Sequence, residues 1–306
     1  MSIRGHVAMS LLRSIGTKTT LLSPSMLERG EPEFWEAARL LQKRYRGAIF
    51  PKALDPTAMD VGGYPLTRLR GGARRGVTET DKACLYIHGG GFVEPPSLLH
   101  RQAIARWARD TGATVYAAQY PLLPDADITQ ILAHIREVYS VAADDFGRPL
   151  TAVFGDSAGG TLALYLASVL EAAEQPGRFI ALSPCCDSGL TNPEIRNLEA
   201  KDPILSVRVL RVLAKMLLKF AANNDISPLY LPYENLRRSG AKLDLFIGGA
   251  EILYPDNVRM HERLTAEGIE HGWNVEPKLF HIYPLAPFIP ECTKAFAQIC
   301  EMIKNT

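Results

Sequence analysis

No stretch of this sequence approaches the roughly twenty consecutive apolar residues of a membrane span, so stable insertion into a bilayer is not expected. The amino-terminal stretch MSIRGHVAMSLLRSIGTKTT holds leucines and basic residues, but Arg13, Gly16 and Lys18 interrupt any signal-peptide core, and a cytoplasmic protein is expected. Charge of one sign is also missing: 34 basic and 33 acidic side chains leave a formal net charge of +1, so a nucleic acid is not an expected partner. The densest basic stretches, QKRYRG and GGARRG, are short and read as solvated faces. Among five cysteines there is no CxxC pair and no histidine at metal-closing spacing, which argues for reduced structural thiols and against a metal site. No internal repeat or low-complexity segment is visible, and nothing fixes the oligomeric state, a homodimer being compatible with the chain.

What is present is ordinary globular material: 306 residues, 47% hydrophobic and 22% charged, enough for one large core carrying an insertion. PEFWEAARLLQKRYR repeats Phe34, Ala37, Ala38, Leu41 and Tyr45 at helical spacing, with Pro32 suited to its first turn. AMDVGGYPLTRLRGG, with Gly62 and Gly63 between short alternating runs, predicts a β-hairpin. From Lys82 onward the strand candidates KACLYIH, ATVYAAQY, LTAVFG, RFIALS, KLDLFIGG and NVEPKLF alternate with helical patterns at Leu98 to Asp110, Asp127 to Ala142, Ala158 to Glu174 and Pro255 to Glu267. Apolar strands alternating with helices imply an α/β fold, its mostly parallel sheet covered on both faces and its functional groups gathered beyond the strands' carboxyl ends. Between RFIALS and KLDLFIGG the chain runs far longer than a crossover needs, and about 187–240 is read as an inserted helical cap. With residues 1–50 as a second helical cap segment, the catalytic domain is expected over 51–306.

GDSAGG must turn the strand LTAVFG sharply into the helix TLALYLASVLEAA. In a G-x-S-x-G elbow the serine sits at a strained tip, and glycines two residues to either side let strand and helix pass closely. Gly155 and Gly159 hold those positions around Ser157, and the unpaired N–H of Ala158 at the helix start can bind a developing oxyanion. A phosphate loop would need a Lys after its glycines, and none follows. A second glycine motif, His88 to Gly91 in YIHGGGF, follows another strand and supplies backbone N–H groups unshielded by side chains. His88 itself reads as structural, fixing that loop by hydrogen bonds.

A serine hydroxyl needs a base. His6, His100, His134, His261 and His271 fall in the amino-terminal tail or on predicted helices and their flanks, whereas His281 directly follows the last predicted strand, where the order Ser, acid, His would put it. The acid should follow KLDLFIGG, where AEILYPDN offers Glu251 and Asp256. Position favours Glu251, with Asp256 read as the cap of the next helix. Asp156, inside the elbow, and Asp244, inside the strand, are poor candidates.

HGGG at 88–91, GDSAGG at 155–160, FHIYPL at 280–285 and DPIL at 202–205 resemble the hormone-sensitive-lipase-like branch of the α/β-hydrolase esterases. The resemblance implies that fold, a cap from the amino-terminal region and an insertion before the acid strand, and a serine esterase or lipase that needs no cofactor. It implies Ser157 as nucleophile, His281 as base, and the backbone N–H groups of Gly90, Gly91 and Ala158 as the oxyanion hole. Two departures stand out. Glu251 occupies a position where the family usually has Asp, and QYPLLPDA replaces the usual DYRLAPE. The expected substrate is a small-molecule ester with a short to medium acyl chain; the aliphatics of VLRVLAKMLLKFA offer an apolar pocket that Phe34 and Trp35 could close, while packing of cap against body is the favoured reading for most of these residues. Transfer of the acyl group to an alcohol or amine, and a non-catalytic small-molecule binder on the same fold, are the alternatives.

Overall fold

A computed structural model describes residues 2, 5, 24–45, 50–73 and 80–306. Expectations placed on His6, Arg13, Gly16, Lys18, Arg46 and Arg74 to Gly76 lie outside these residues. The first long helix, α1 (Glu31–Tyr45), buries Phe34 and Ala38. The hairpin follows as β1 (Thr57–Val61) and β2 (Tyr64–Arg70), its two-residue turn made by Gly62 and Gly63 at φ +56° and +85°, the doubly positive pair that a tight hairpin favours.

The remaining strands alternate with helices as the sequence pattern predicts. In chain order they are β3 (Ala83–Ile87), α2 (Leu98–Thr111), β4 (Thr114–Ala118), α3 (Ile128–Phe146), β5 (Ala152–Asp156), α4 (Ala158–Val169), β6 (Arg178–Leu182), α5 (Val207–Leu217), β7 (Lys242–Gly248), α6 (Tyr254–Ala266), β8 (His271–Glu276) and α7 (Pro290–Lys304). They form one eight-stranded sheet in the order β1-β2-β4-β3-β5-β6-β7-β8, antiparallel through β4 and parallel from there to β8. Every residue of β3, β5 and β6 is buried, because both faces of the sheet are covered. Val153, Leu85 and Ile87 pack with Ile131, Ile135, Leu162 and Met260 from α3, α4 and α6. Alternate residues Tyr86 and Phe154 meet Trp107 and Phe296 from α2 and α7, the last two rings stacked at 4.9 Å.

Three boundaries depart from expectation. Helix α4 stops at Val169 because Gln175 Nε2 donates to the carbonyls of Ala167 and Leu170, ending the helix with a side chain. Strand β8 starts at His271 and ends before Pro277, so His271 is a strand residue and His281 lies five residues beyond the strand. As the sheet's edge, β8 is half-buried along its length and shows no alternation to read. Asp256 does not cap α6: Leu253 holds that position and Asp256 sits within the first turn. No described helix is long and apolar enough to cross a membrane, and all five cysteines are free thiols.

Candidate active site

The elbow is built by β5 and α4. Ser157 stands between them at φ +51°, ψ −120°, a conformation strained for any residue with a side chain, and its N–H is held by Leu182 O at 2.8 Å. Glycine is obligatory around it: a Cβ on Gly159 would lie 2.0 Å from Ile87 O, and one on Gly155 2.5 Å from the carbonyls of Gly159 and Ile87.

The HGGG loop leaves β3 directly beside the elbow. Gly90, Gly91 and Phe92 have φ of +109°, +61° and +61°, a run that turns the backbone back so that Val93 and Glu94 both donate to Gly90 O. His88 fixes the loop, its Nδ1 donating to Gly89 O at 2.6 Å while its ring stacks on Tyr120, whose hydroxyl donates to His88 O at 2.7 Å. Burial, helped by the neighbouring His100, lowers the His88 pKa to about 4, so the ring is neutral. Gln42 of α1 donates to Val93 O and Leu123 O, both at 2.8 Å, and ties the amino-terminal helix to this loop.

Asp156 and His100 were not expected to matter, yet they brace the two glycine motifs. The fully buried Asp156 carboxylate accepts from the Tyr86 hydroxyl, from Gly89 N–H at 3.1 Å and from His100 Nε2 at 3.1 Å. Burial alone would raise its pKa, but the opposing His100 and the hydrogen bonds more than offset this and hold it below the usual 3.8. Burial would lower His100 in turn, and Asp156 keeps it raised.

At the other side, Glu251 follows β7 and His281 follows β8. The two loops lie against each other, since a Cβ on Gly248 would meet Phe280 O at 2.4 Å. Glu251 Oε2 is 3.5 Å from His281 Nδ1, beyond a well-formed hydrogen bond, and Nδ1 has no other partner among the described residues. No hydrogen bond links Ser157 Oγ to the His281 ring in this arrangement. Burial raises Glu251, and the pull of His281 and of the Ser183 hydroxyl recovers only part of that shift. For His281 burial acts downward, and the carboxylates of Glu251, Asp202 and Asp156 reverse it, so its pKa is raised above 6.5. Asp256 is elsewhere, bonded to Arg259 at 3.2 Å.

Two residues that sequence reasoning passed over hold this side together. Asp202, the Asp of DPIL, accepts from Ile204 and Leu205 N–H and, across to the acid loop, from Ile252 N–H at 2.9 Å. Ser183, just beyond β6, donates to Glu251 Oε2 at 2.7 Å.

Ser157, Ala158 and Gly91 share a narrow apolar cavity of about 40 Å³ with Leu205, Leu210, Leu213, Ala214 and Leu217, most of them from α5. Phe34 and Trp35 do not line it. They pack edge to face at 4.9 Å, Phe34 buried in the main core and Trp35 against it. A wider cleft of about 350 Å³ lies beyond His88 and Tyr120, against α1, and does not include Ser157.

The model of the alpha/beta hydrolase fold family matches residues 84–285. Esterase LipU of Mycobacterium tuberculosis is 26% identical over 233 residues, covering 74% of this chain and 78% of that protein. Hormone-sensitive lipase of Mus musculus is 27% identical over 199 residues, covering 63% of this chain and 26% of that longer protein. A crystal structure of a hormone-sensitive lipase from a metagenome library superposes with a TM-score of 0.77 at 22% identity, covering 98% of both chains. With the sheet order, the elbow and the glycine loop already in place, the chain belongs to the α/β-hydrolase fold family, in the branch of hormone-sensitive-lipase-like proteins.

Proposed function

We propose that this protein is a serine carboxylic ester hydrolase acting through an acyl-enzyme on esters of short to medium acyl chains. The observation that carries the reading is the strained Ser157 at the mouth of an apolar cavity that also holds Gly91 and Ala158. Ser157 Oγ attacks the ester carbonyl, and His281 takes its proton and returns it to the leaving alcohol. Glu251 stabilises the imidazolium, and the N–H groups of Gly90, Gly91 and Ala158 hold the oxyanion. A water then attacks the acyl-enzyme with His281 again as base. The contacts of His281 tighten when substrate is bound, as catalytic hydrogen bonds that are long in the free enzyme commonly do.

The narrowness of the cavity, about 40 Å³ and walled by the leucines of α5, favours the short end of the acyl range. The described part of the amino-terminal segment, residues 24–45, and about 187–240 serve as the cap, and α5 supplies the wall against the acyl group. The esterase name of LipU supports ester hydrolysis, and five free thiols suit a reducing, cytoplasmic setting. The test is Ser157→Ala with p-nitrophenyl butyrate and a fluorophosphonate probe. Loss of both turnover and labelling is expected, and turnover at the parent rate overturns the assignment.

A further inference from the structure

Ser183 follows the last residue of β6 and is fully buried at φ +49°, a left-handed conformation that a serine adopts only when its surroundings hold it there. Its N–H donates to Phe246 O of β7 at 2.8 Å, which fixes the backbone. Its hydroxyl then does two things: Oγ donates to Glu251 Oε2 at 2.7 Å and accepts from Ile282 N–H at 2.9 Å. One oxygen therefore joins the end of β6 to the acid loop after β7 and to the residue that follows His281.

A glutamate has one more side-chain torsion than the aspartate usual at this position, so its carboxylate needs an additional restraint. Oε1 has no hydrogen-bond partner among the described residues, whereas Oε2 faces both Ser183 and His281. We propose that Ser183 is a positioning residue of the active site: its hydroxyl selects the Glu251 rotamer that presents Oε2 to His281 Nδ1 and locks the acid and base loops in register. The proposal rests on the ester-hydrolase reading.

It also has a titration signature. The charged and titratable groups around the pair are Asp202 and Asp156 toward His281, and Asp202, Tyr283 and Cys186 toward Glu251. The active state has an ionised Glu251 and a neutral His281, and Ser183 donates to that carboxylate. Without the hydroxyl, states carrying a proton on Glu251 gain relative to the active state, so the acid limb of the pH profile moves to higher pH.

The experiment compares Ser183→Gly and Ser183→Ala with the parent on p-nitrophenyl butyrate across the pH range, with Ser157→Ala as control. Glycine suits the left-handed backbone, so Ser183→Gly removes the hydroxyl without backbone strain and keeps the fold, with the melting temperature lowered by a few degrees for the Ile282 N–H left unpaired. Both variants are expected to lose about 10- to 100-fold in kcat, the range of a hydrogen bond to a charged group, with KM changed by less than about two-fold and the acid limb shifted upward. In a Glu251→Ala background, Ser183→Gly is expected to lower kcat much less than it does in the parent, because only the bond to Ile282 N–H is then left to lose. A parental kcat in Ser183→Gly, a fall in kcat with an unmoved acid limb, or an equal further fall in the Glu251→Ala background overturns the proposal. Hydrolysis that survives unchanged in Ser157→Ala overturns instead the reading beneath it, and the proposal with it.

Discussion

Replacing Asp156 by Asn keeps the side chain's shape and removes its charge. One face of the new amide still accepts from Tyr86 and Gly89, while the other presents an N–H to His100 Nε2, which has been donating. Either two donors face each other, or the ring shifts its proton to Nδ1 and Ser97 N–H, now bonded to Nδ1 at 2.9 Å, loses its acceptor. One buried donor is left unpaired in both cases, at about 1–3 kcal/mol, and a charge-assisted hydrogen bond is lost besides, so about 2–4 kcal/mol is expected in urea unfolding. Asp156→Ala breaks all three bonds, with an expected loss of about 3–5 kcal/mol, and also releases Gly89. The two variants should therefore separate in activity: Asp156→Asn within about ten-fold of the parent in kcat/KM, and Asp156→Ala lower by about 100-fold or more as the oxyanion loop loosens.

The sign of the pH dependence follows from the two shifts. The depressed Asp156 contributes stability that is complete above 3.8 and disappears as pH falls through its lower folded value. The raised His100 contributes stability that is complete below 6.5 and is lost as pH rises through its higher folded value. The gap between parent and Asp156→Asn is thus widest between these limits, at about pH 5.5, and narrows below 3.8. A gap unchanged from about pH 5.5 to about pH 3, or equal activities for the Asn and Ala variants, refutes the reasoning.

In the proposed mechanism His281 must be neutral to accept the Ser157 proton, and with its pKa raised the acid limb of kcat/KM should lie above 6.5 in a pH-rate series. Ser157→Gly should abolish turnover while leaving unfolding free energy equal to or about 1 kcal/mol above the parent's, since glycine relieves the positive φ. Leu213→Ala, which enlarges the cavity from α5, should move the optimum of a p-nitrophenyl ester series toward longer acyl chains, at a stability cost of about 2–5 kcal/mol.

The two glycine motifs could be read from the sequence because each acts over a few residues: the backbone near Gly155, Gly159 and Gly90 tolerates no side chain, whatever the rest of the chain does. The parallel sheet was equally legible from strands apolar on both faces. What escaped reading is what acts across the chain. Ser183 reaches Glu251 over 68 positions and Ile282 over 99, and Asp202 reaches Ile252 over 50. No local pattern distinguishes such a Ser or Asp from its neighbours, although the strand order, once known, puts β6 between the elbow strand and the acid strand. Phe34 and Trp35 pack in and against the main core, in line with the packing reading; choosing between packing and pocket needed the structure, because helical periodicity says which face is buried but not against what.

The segment proposed as a cap insertion leaves the sheet after β6 and returns to it at β7, two strands hydrogen-bonded side by side with Leu182 opposite Phe246. Its two ends are therefore neighbours before a single cap residue is placed, and the catalytic framework is closed independently of what lies between them. Such an arrangement is modular: the loop can be lengthened, shortened or rewritten to suit another acyl group without changing the spacing of the strands that carry Ser157 and Glu251. Asp202 limits that freedom, because its carboxylate accepts from the backbone N–H of Ile252, the residue after Glu251. A chimaera that exchanges this segment must keep this anchor, together with the carbonyls of Pro228, Leu229 and Leu231 that Arg263 of α6 holds.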